Sequence, residues 1–415
     1  MKLQRRALLA LALSVSLSAS LAVAAEPARW AGTWASAQMA PDAKNALAAE
    51  DYAGATLRQV VRVSMGGQRV RVRLSNAFGT EPLRILGAHL APSAAGDTAR
   101  IDPAGDRALT FSGRAEVTIP AGADYWSDPV DLNVAPLADL AVSLRYEAAP
   151  TGQTGHPGSR ATSYVLAGDH LADADLPNAK TADHWFQIAA IDVQSGKAPP
   201  QTSAIVALGD SITDGYGVQP NTNARWTDTL ARRLQASPAT RHVGVLNLGI
   251  GGNRVLRDGL GPNALARFER DVLSQSGVRW VILLEGVNDL GVLTRDQPVP
   301  PQAHAAIVAE VTAAYRQMID RAHARGIKVI GATILPYGGS GYYHPTAENE
   351  ADRQAINAWI RTPGNFDAVV DFDAVMRDPA RPDHMLAAHD SGDGLHPSPA
   401  GYKVMGEAIP LSLFK

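Results

Sequence analysis

Residues 203–215 read SAIVALGDSITDG. The apolar run Ile205 to Leu208 is too short for a helix and is bounded by Gly209, so it reads as a buried strand. Gly209-Asp210-Ser211-Ile212 follows at once and places a serine hydroxyl at the carboxyl end of that strand. Alone, Ser211 reads more simply as a helix N-cap. What decides the fold is the rhythm that follows. Helical spacing over Ala224 to Ala236 gives way to a strand at Val243 to Leu248 and a helix at Ala264 to Ser274. Next come a strand at Trp280 to Leu284, a long helix at Gln302 to Ala324 and a strand at Ile327 to Ile334. A helix at Glu348 to Ile360, a strand at Ala368 to Phe372 and a helix at Pro399 to Ile409 close the chain. Strands alternating with helices predict a parallel sheet covered on both faces, a three-layer α/β/α arrangement with its site at the carboxyl ends of the strands.

Upstream the period is different. Thr56 to Met65 (TLRQVVRVSM) and Gln68 to Leu74 (QRVRVRL) alternate apolar and polar residues, with Gly66-Gly67 between them as a hairpin signal. Further short candidates lie at Leu83 to Leu90, Ala115 to Ile119, Leu140 to Tyr146 and Trp185 to Val193, a spacing that predicts a β-sandwich. The arginines of VRVRL read as the solvated face of a half-buried strand. The Pro-rich segment GKAPPQTS, residues 196–203, reads as the linker between the two halves.

The chain opens with Lys2, Arg5 and Arg6, an apolar run from Ala7 to Val23, and Ala22-Val23-Ala24 as an A-x-A cleavage site, with Ala25 as the alternative end. That is the pattern of a secretory signal peptide, cleaved after Ala24 or Ala25, for a periplasmic or extracellular protein. The expected organisation is therefore a signal peptide at 1–25, a β-rich accessory domain at 26–195, a linker at 196–203 and an α/β domain at 204–415. Loss of the three cations of the leader takes the net charge from −3 to −6. This acidic balance argues against a nucleic-acid partner, and no later stretch is long enough to span a membrane. The 415 residues contain no cysteine, which removes a thiol nucleophile, a disulfide scaffold and any Cys-ligated metal.

Four polar signals sit at successive strand ends: Ser211 in GDSIT, the glycines of Gly249-Ile250-Gly251-Gly252-Asn253, Asn288 in Gly286-Val287-Asn288-Asp289-Leu290, and Asp393-Gly394-Leu395-His396-Pro397. An aspartate three residues before a histidine can orient the imidazole while the other ring nitrogen faces a nucleophile. An asparagine N–H₂ can donate to a developing oxyanion. The remaining histidines are scattered and show no H-E-x-x-H, so neither a metal nor a cofactor is expected. Asp210 and Asp214 read as structural hydrogen-bonders, and His389 as a poor rival base.

GDSIT, GIGGN, GVNDL and DGLHP, in this order, resemble the sequence blocks of the SGNH/GDSL hydrolases over about residues 204–415. That resemblance implies a flavodoxin-like α/β/α domain and acyl transfer through a covalent acyl-enzyme. By position, Ser211 matches the nucleophile, His396 the general base and acid, and Asp393 the residue that orients it. Gly252 (with Gly251 as the alternative), Asn288 and the Ser211 N–H match the oxyanion donors. The G-x-S-x-G elbow of other α/β-hydrolases is absent, because GDSIT has Thr213 in its fifth place. Leu335 to Tyr343 and the segment through Arg353, Asn357 and Trp359 resemble the variable loop and helix beside the site in this family, where Tyr342 and Tyr343 could stack on a sugar or aromatic acyl group. The Trp30 to Ala35 opening (WAGTWA) with its β-rich leader resembles a secreted two-domain subgroup that includes arylesterases of xylan-degrading organisms. This implies a small-molecule or polysaccharide ester as substrate. The alternatives weighed are a non-catalytic carbohydrate-binding protein, an acyltransferase using the same triad, and a metal-dependent phosphoesterase holding its ion on Asp210, Asp289 and His396.

Overall fold

A computed structural model describes residues 29–194 and 202–415. The expected signal peptide and residues 196–201 of the expected linker lie outside the described residues; Ser203 already opens a strand.

The second half is built on a five-stranded parallel sheet. In chain order its strands are Ser203–Gly209, Val243–Gly249, Val278–Leu284, Lys328–Ala332 and Ala368–Val370. The second lies outside the first and the rest follow in sequence, which is the flavodoxin-like order 2-1-3-4-5. Every residue of Ser203–Gly209 is buried, as a strand flanked on both sides and covered on both faces must be. The helices Trp226–Ala236, Pro301–His323, Ala347–Arg361 and Pro399–Ala408 match the periodic segments within two residues. Ala264 to Ser274 resolves into an α-helix, Ala264–Phe268, continued as a π-turn, Glu269–Leu273. The helix Val287–Thr294 begins at the third strand end and was not legible as a helix, since its stretch is short and carries Gly291.

The first half is built on two large antiparallel sheets of five and seven strands, with a small two-stranded sheet, Gly155–His156 against Trp185–Phe186, beside them. They share one buried cluster that includes Leu57, Val61, Val70, Val72, Leu74, Leu144 and Ile191. The predicted hairpin at Gly66-Gly67 does not form. Ala55–Arg62 belongs to the seven-stranded sheet and Gly67–Ser75 to the five-stranded one, so the chain crosses from sheet to sheet there. Neither glycine has the positive φ of a two-residue hairpin turn. Gly66 serves close approach instead, because a Cβ there would lie 2.5 Å from the Val134 carbonyl oxygen. Thr33 fixes the crossing by bonding both the N–H and the C=O of Met65.

The arginines of VRVRL are also placed differently from the expectation. Arg71 pairs with Asp192, is flanked by the rings of Trp30 and Trp126, and reaches Ser276 Oγ at 3.1 Å. Arg73 is buried and donates to Gln275 Oε1. That strand face is covered by the second half rather than by water, which an isolated alternating pattern cannot reveal. The strand Ala31–Ala35, from the WAGTWA opening, lies in the same interface. Gly32 N–H donates to Ser276 C=O, and Ser64 Oγ accepts from Val245 N–H.

Candidate active site

Asp210 caps the short helix Ser211–Asp214, its Oδ1 accepting from Ile212 N–H at 2.9 Å. This turn fixes Ser211 at its first position, where the N–H lacks an intrahelical acceptor. The Ser211 hydroxyl lies 2.9 Å from His396 Nε2, and His396 Nδ1 lies 2.6 Å from Asp393 Oδ2. The other Asp393 oxygen accepts the backbone N–H groups of Leu395 and His396, so the carboxylate that orients the ring also folds its loop. Burial alone would raise the Asp393 carboxyl, but these hydrogen bonds outweigh it and hold it below the ordinary range. His396 is held below the ordinary histidine value, chiefly by burial and against the pull of Asp393, so the ring is neutral at pH 7.

The oxyanion candidates meet on the same cleft. Gly251, Gly252, Asn288, Ser211 and His396 all line it, and its volume is about 730 Å³. Gly252 has φ +70°, which turns the peptide plane at the second strand end and favours glycine there. Among the described residues, neither Gly251 nor Gly252 spends its N–H on a backbone carbonyl. One Asn288 N–H donates to Asn253 C=O at 2.7 Å, leaving the second for the cleft. Asn253 itself faces inward. Its amide donates to Pro262 C=O and its oxygen accepts from Arg267.

Arg267 is the hidden brace of the site. It is fully buried and donates to Leu248 C=O, Gly209 C=O, Asn253, Asp271 and Glu285, so one guanidinium ties together the ends of three strands. Around it, burial pushes the Asp210 carboxyl up to about 7 and Asp289 to about 6, and raises Glu285 well above its usual value. Asp289 holds the glycine loop by accepting from the N–H groups of Val255 and Leu256. Asp210, Asp289 and His396 thus serve separate partners, and no cluster of three metal-ligating side chains occurs among the described residues.

Tyr342 and Tyr343 part company. Tyr342 is exposed at the cleft rim and its hydroxyl accepts from Arg295. Tyr343 is buried and its hydroxyl lies 2.6 Å from Asn288 Oδ1. Arg353 and Asn357 do not reach the cleft. Arg353 is buried against Glu350 and Asp373, and Asn357 pins the N–H and C=O of Ile334. Trp359 packs against Tyr315 and Phe366.

Sequence reasoning missed what the accessory half brings to this site. His156 is buried with its Nε2 2.9 Å from Asp214 Oδ1, at the end of the Ser211 turn, and its Nδ1 2.8 Å from Ala37 C=O. Arg160 stands over the Tyr216 ring at 5.5 Å, and the Tyr216 ring lies 4.1 Å from that of His396. The glycine-rich stretch holding His156 shows no periodicity to announce these contacts. A tight cavity of about 80 Å³ lies beyond Asp214, between the two halves.

Residues 207–404 match the model of the GDSL-like Lipase/Acylhydrolase family. Similar solved structures include a protein of the G-D-S-L lipolytic family from Desulfitobacterium hafniense (25% identity, 50% of this chain, 97% of that one, TM-score 0.37). A GDSL-like lipase from Bacteroides thetaiotaomicron is 21% identical over 51% of this chain and 87% of its own (TM-score 0.38). An acetylxylan esterase from Geobacillus stearothermophilus is 23% identical over 50% and 92% (TM-score 0.38). No curated protein matches the chain in sequence. Residues 207–404 therefore form a domain of the GDSL-like lipase and acylhydrolase family of hydrolases.

Proposed function

We propose that this protein is a secreted serine esterase that hydrolyses carboxylic esters through an acyl-enzyme. The observation that carries the reading is the hydrogen-bonded chain Ser211 Oγ, His396 Nε2, His396 Nδ1, Asp393 Oδ2, opening on a cleft lined by unspent N–H donors. In this reading Ser211 Oγ attacks the ester carbonyl carbon as its proton passes to His396 Nε2. Asp393 stabilises the imidazolium that results. The oxyanion forms against the N–H groups of Ser211, Gly252 and the Asn288 side chain. Collapse breaks the carbon–oxygen bond to the alcohol, which takes the proton from His396. Water then attacks the acyl-serine by the same route in reverse, and the acid leaves.

The rim of the cleft supports an ester whose alcohol or acyl part offers a flat face. Tyr216 and Tyr342 are exposed there, beside the exposed apolar side chain of Leu260. Aryl esters and acyl esters of carbohydrates have that shape, and the reading takes them as substrates. In the same reading the leader directs the chain to the periplasm or the medium; among the described residues no helix is long and apolar enough to cross a membrane. The β-rich domain, residues 26–195, braces the nucleophile turn through His156.

A panel of short-chain aryl esters, acetylated xylan and feruloyl esters, run beside Ser211→Ala, tests the proposal. Turnover of at least one ester that Ser211→Ala abolishes is expected. Full activity in Ser211→Ala would overturn the mechanism, and retention of glycans with no turnover of any ester would replace it with a binding role.

A further inference from the structure

Asn288 is useful as an oxyanion donor only if its carboxamide presents nitrogen, not oxygen, to the cleft. A primary amide turned by 180° exchanges the two, and nothing in the covalent structure prevents it. Two contacts settle the orientation. The atom facing Asn253 C=O at 2.7 Å must be the nitrogen, because a second oxygen there would be repelled. The other atom is then Oδ1, and it lies 2.6 Å from the Tyr343 hydroxyl. Burial raises the Tyr343 phenol, so it keeps its proton and donates. We propose that Tyr343 is a positioning residue of the oxyanion hole, holding Asn288 with one N–H aimed into the cleft. This rests on the esterase reading given above.

The surroundings of Tyr343 are shaped for that task. Asn288 and Gly291 sit one turn apart on the helix Val287–Thr294, and the Tyr343 ring lies directly over Gly291. A Cβ at Gly291 would meet ring atoms at 2.4 to 2.5 Å, so any larger residue would push the ring and its hydroxyl away from Asn288. From below, Ser340 Oγ accepts the N–H groups of Tyr342 and Tyr343, which folds the loop after the fourth strand onto the helix after the third. Edge-to-face packing against Tyr337 fixes the ring plane. Tyr343 therefore arrives from a different strand end than the donor it orients. Its burial leaves the neighbouring Tyr342 as the aromatic face available to substrate.

The test is a double-variant cycle on the full chain with 4-nitrophenyl acetate, using Tyr343→Phe, Asn288→Ala and the pair. Removing a whole oxyanion donor lowers kcat about 100-fold or more, and loosening one lowers it less, so Tyr343→Phe is expected to lose about 10-fold in kcat. KM and Tm should stay near the parent. The double variant should be no slower than Asn288→Ala, because the two act as one unit. Gly291→Ala keeps the hydroxyl but displaces the ring, and should reproduce the loss in kcat even where Tyr343→Phe folds poorly. A Tyr343→Phe effect confined to KM, or losses that multiply in the double variant, would overturn the proposal. Unchanged kcat in Tyr343→Phe with Asn288→Ala impaired would overturn it and leave the esterase reading standing. Unchanged kcat in Asn288→Ala would overturn both the oxyanion assignment and this inference.

Discussion

Replacing His156 by Leu tests how firmly the β-rich domain holds the nucleophile turn. Both His156 and Asp214 are buried, their side chains 4% and 5% exposed, so water screens the pair very little. His156 Nδ1 lies 2.8 Å from the Ala37 carbonyl and Nε2 lies 2.9 Å from the Asp214 carboxylate, so the ring is the hydrogen-bond partner of both. Leucine removes it and leaves a carboxylate enclosed by Gly158 and the Ser211 turn. Breaking a buried pair from one side costs about 3–5 kcal/mol. At about 2–4 °C per kcal/mol for large domains, Tm should fall by roughly 6–20 °C. Differential scanning calorimetry at pH 7 measures this. His156→Leu/Asp214→Asn removes the stranded charge and should regain more than half of the loss. The turn closes through hydrogen bonds from Asp214 N–H to Asp210 C=O and from Gly215 N–H to Ser211 C=O, so the single variant should also react more slowly with a serine-directed organophosphate. A Tm within about 1 °C of the parent, or a double variant no more stable than the single one, would refute the reasoning.

Three further outcomes follow from the electrostatics of the site. His396 acts as a base only when neutral, and burial holds it below 6.5, so kcat/KM should rise with pH to a plateau whose half-point lies below 6.5. Arg160 opposes protonation of His396, while Asp393 and Asp390 favour it; Arg160→Met should therefore move the acid limb to higher pH, and an unmoved limb would contradict the stack through Tyr216. Asp210 titrates near 7 in the fold, against about 4 unfolded. Its contribution to stability is thus full below pH 4 and lost as pH rises through 7. Asp210→Asn keeps an acceptor for Ile212 N–H, so its Tm should fall less than the parent's between pH 5 and 8; equal falls would show that Asp210 is not the group responsible.

The α/β half was legible because its strands are short, fully apolar and separated by amphipathic helices. Its polar strand-end residues stood out against that background, and Ser211, Asp393 and His396 do come within hydrogen-bond distance. What stayed hidden depends on contacts far apart in sequence. Gly66-Gly67 looks like a hairpin until Val134 and Thr33 are seen to hold a crossing between sheets. Arg71 and Arg73 look solvated until the α/β half covers them. Arg267 looks like an ordinary helical arginine, yet it ties three strand ends together. Tyr343 and His156 carry no local pattern. Their partners, Asn288 and Asp214, are 55 and 58 residues away.

The central claim is that Ser211 is the nucleophile, activated by His396. Mass spectrometry of the full chain after treatment with a serine-directed organophosphonate tests it most directly. One adduct per chain, mapped to the peptide holding Ser211, appearing in step with loss of esterase activity and absent in Ser211→Ala, is the predicted result. Loss of activity with the adduct on another residue, or activity that survives complete labelling of Ser211, would contradict it.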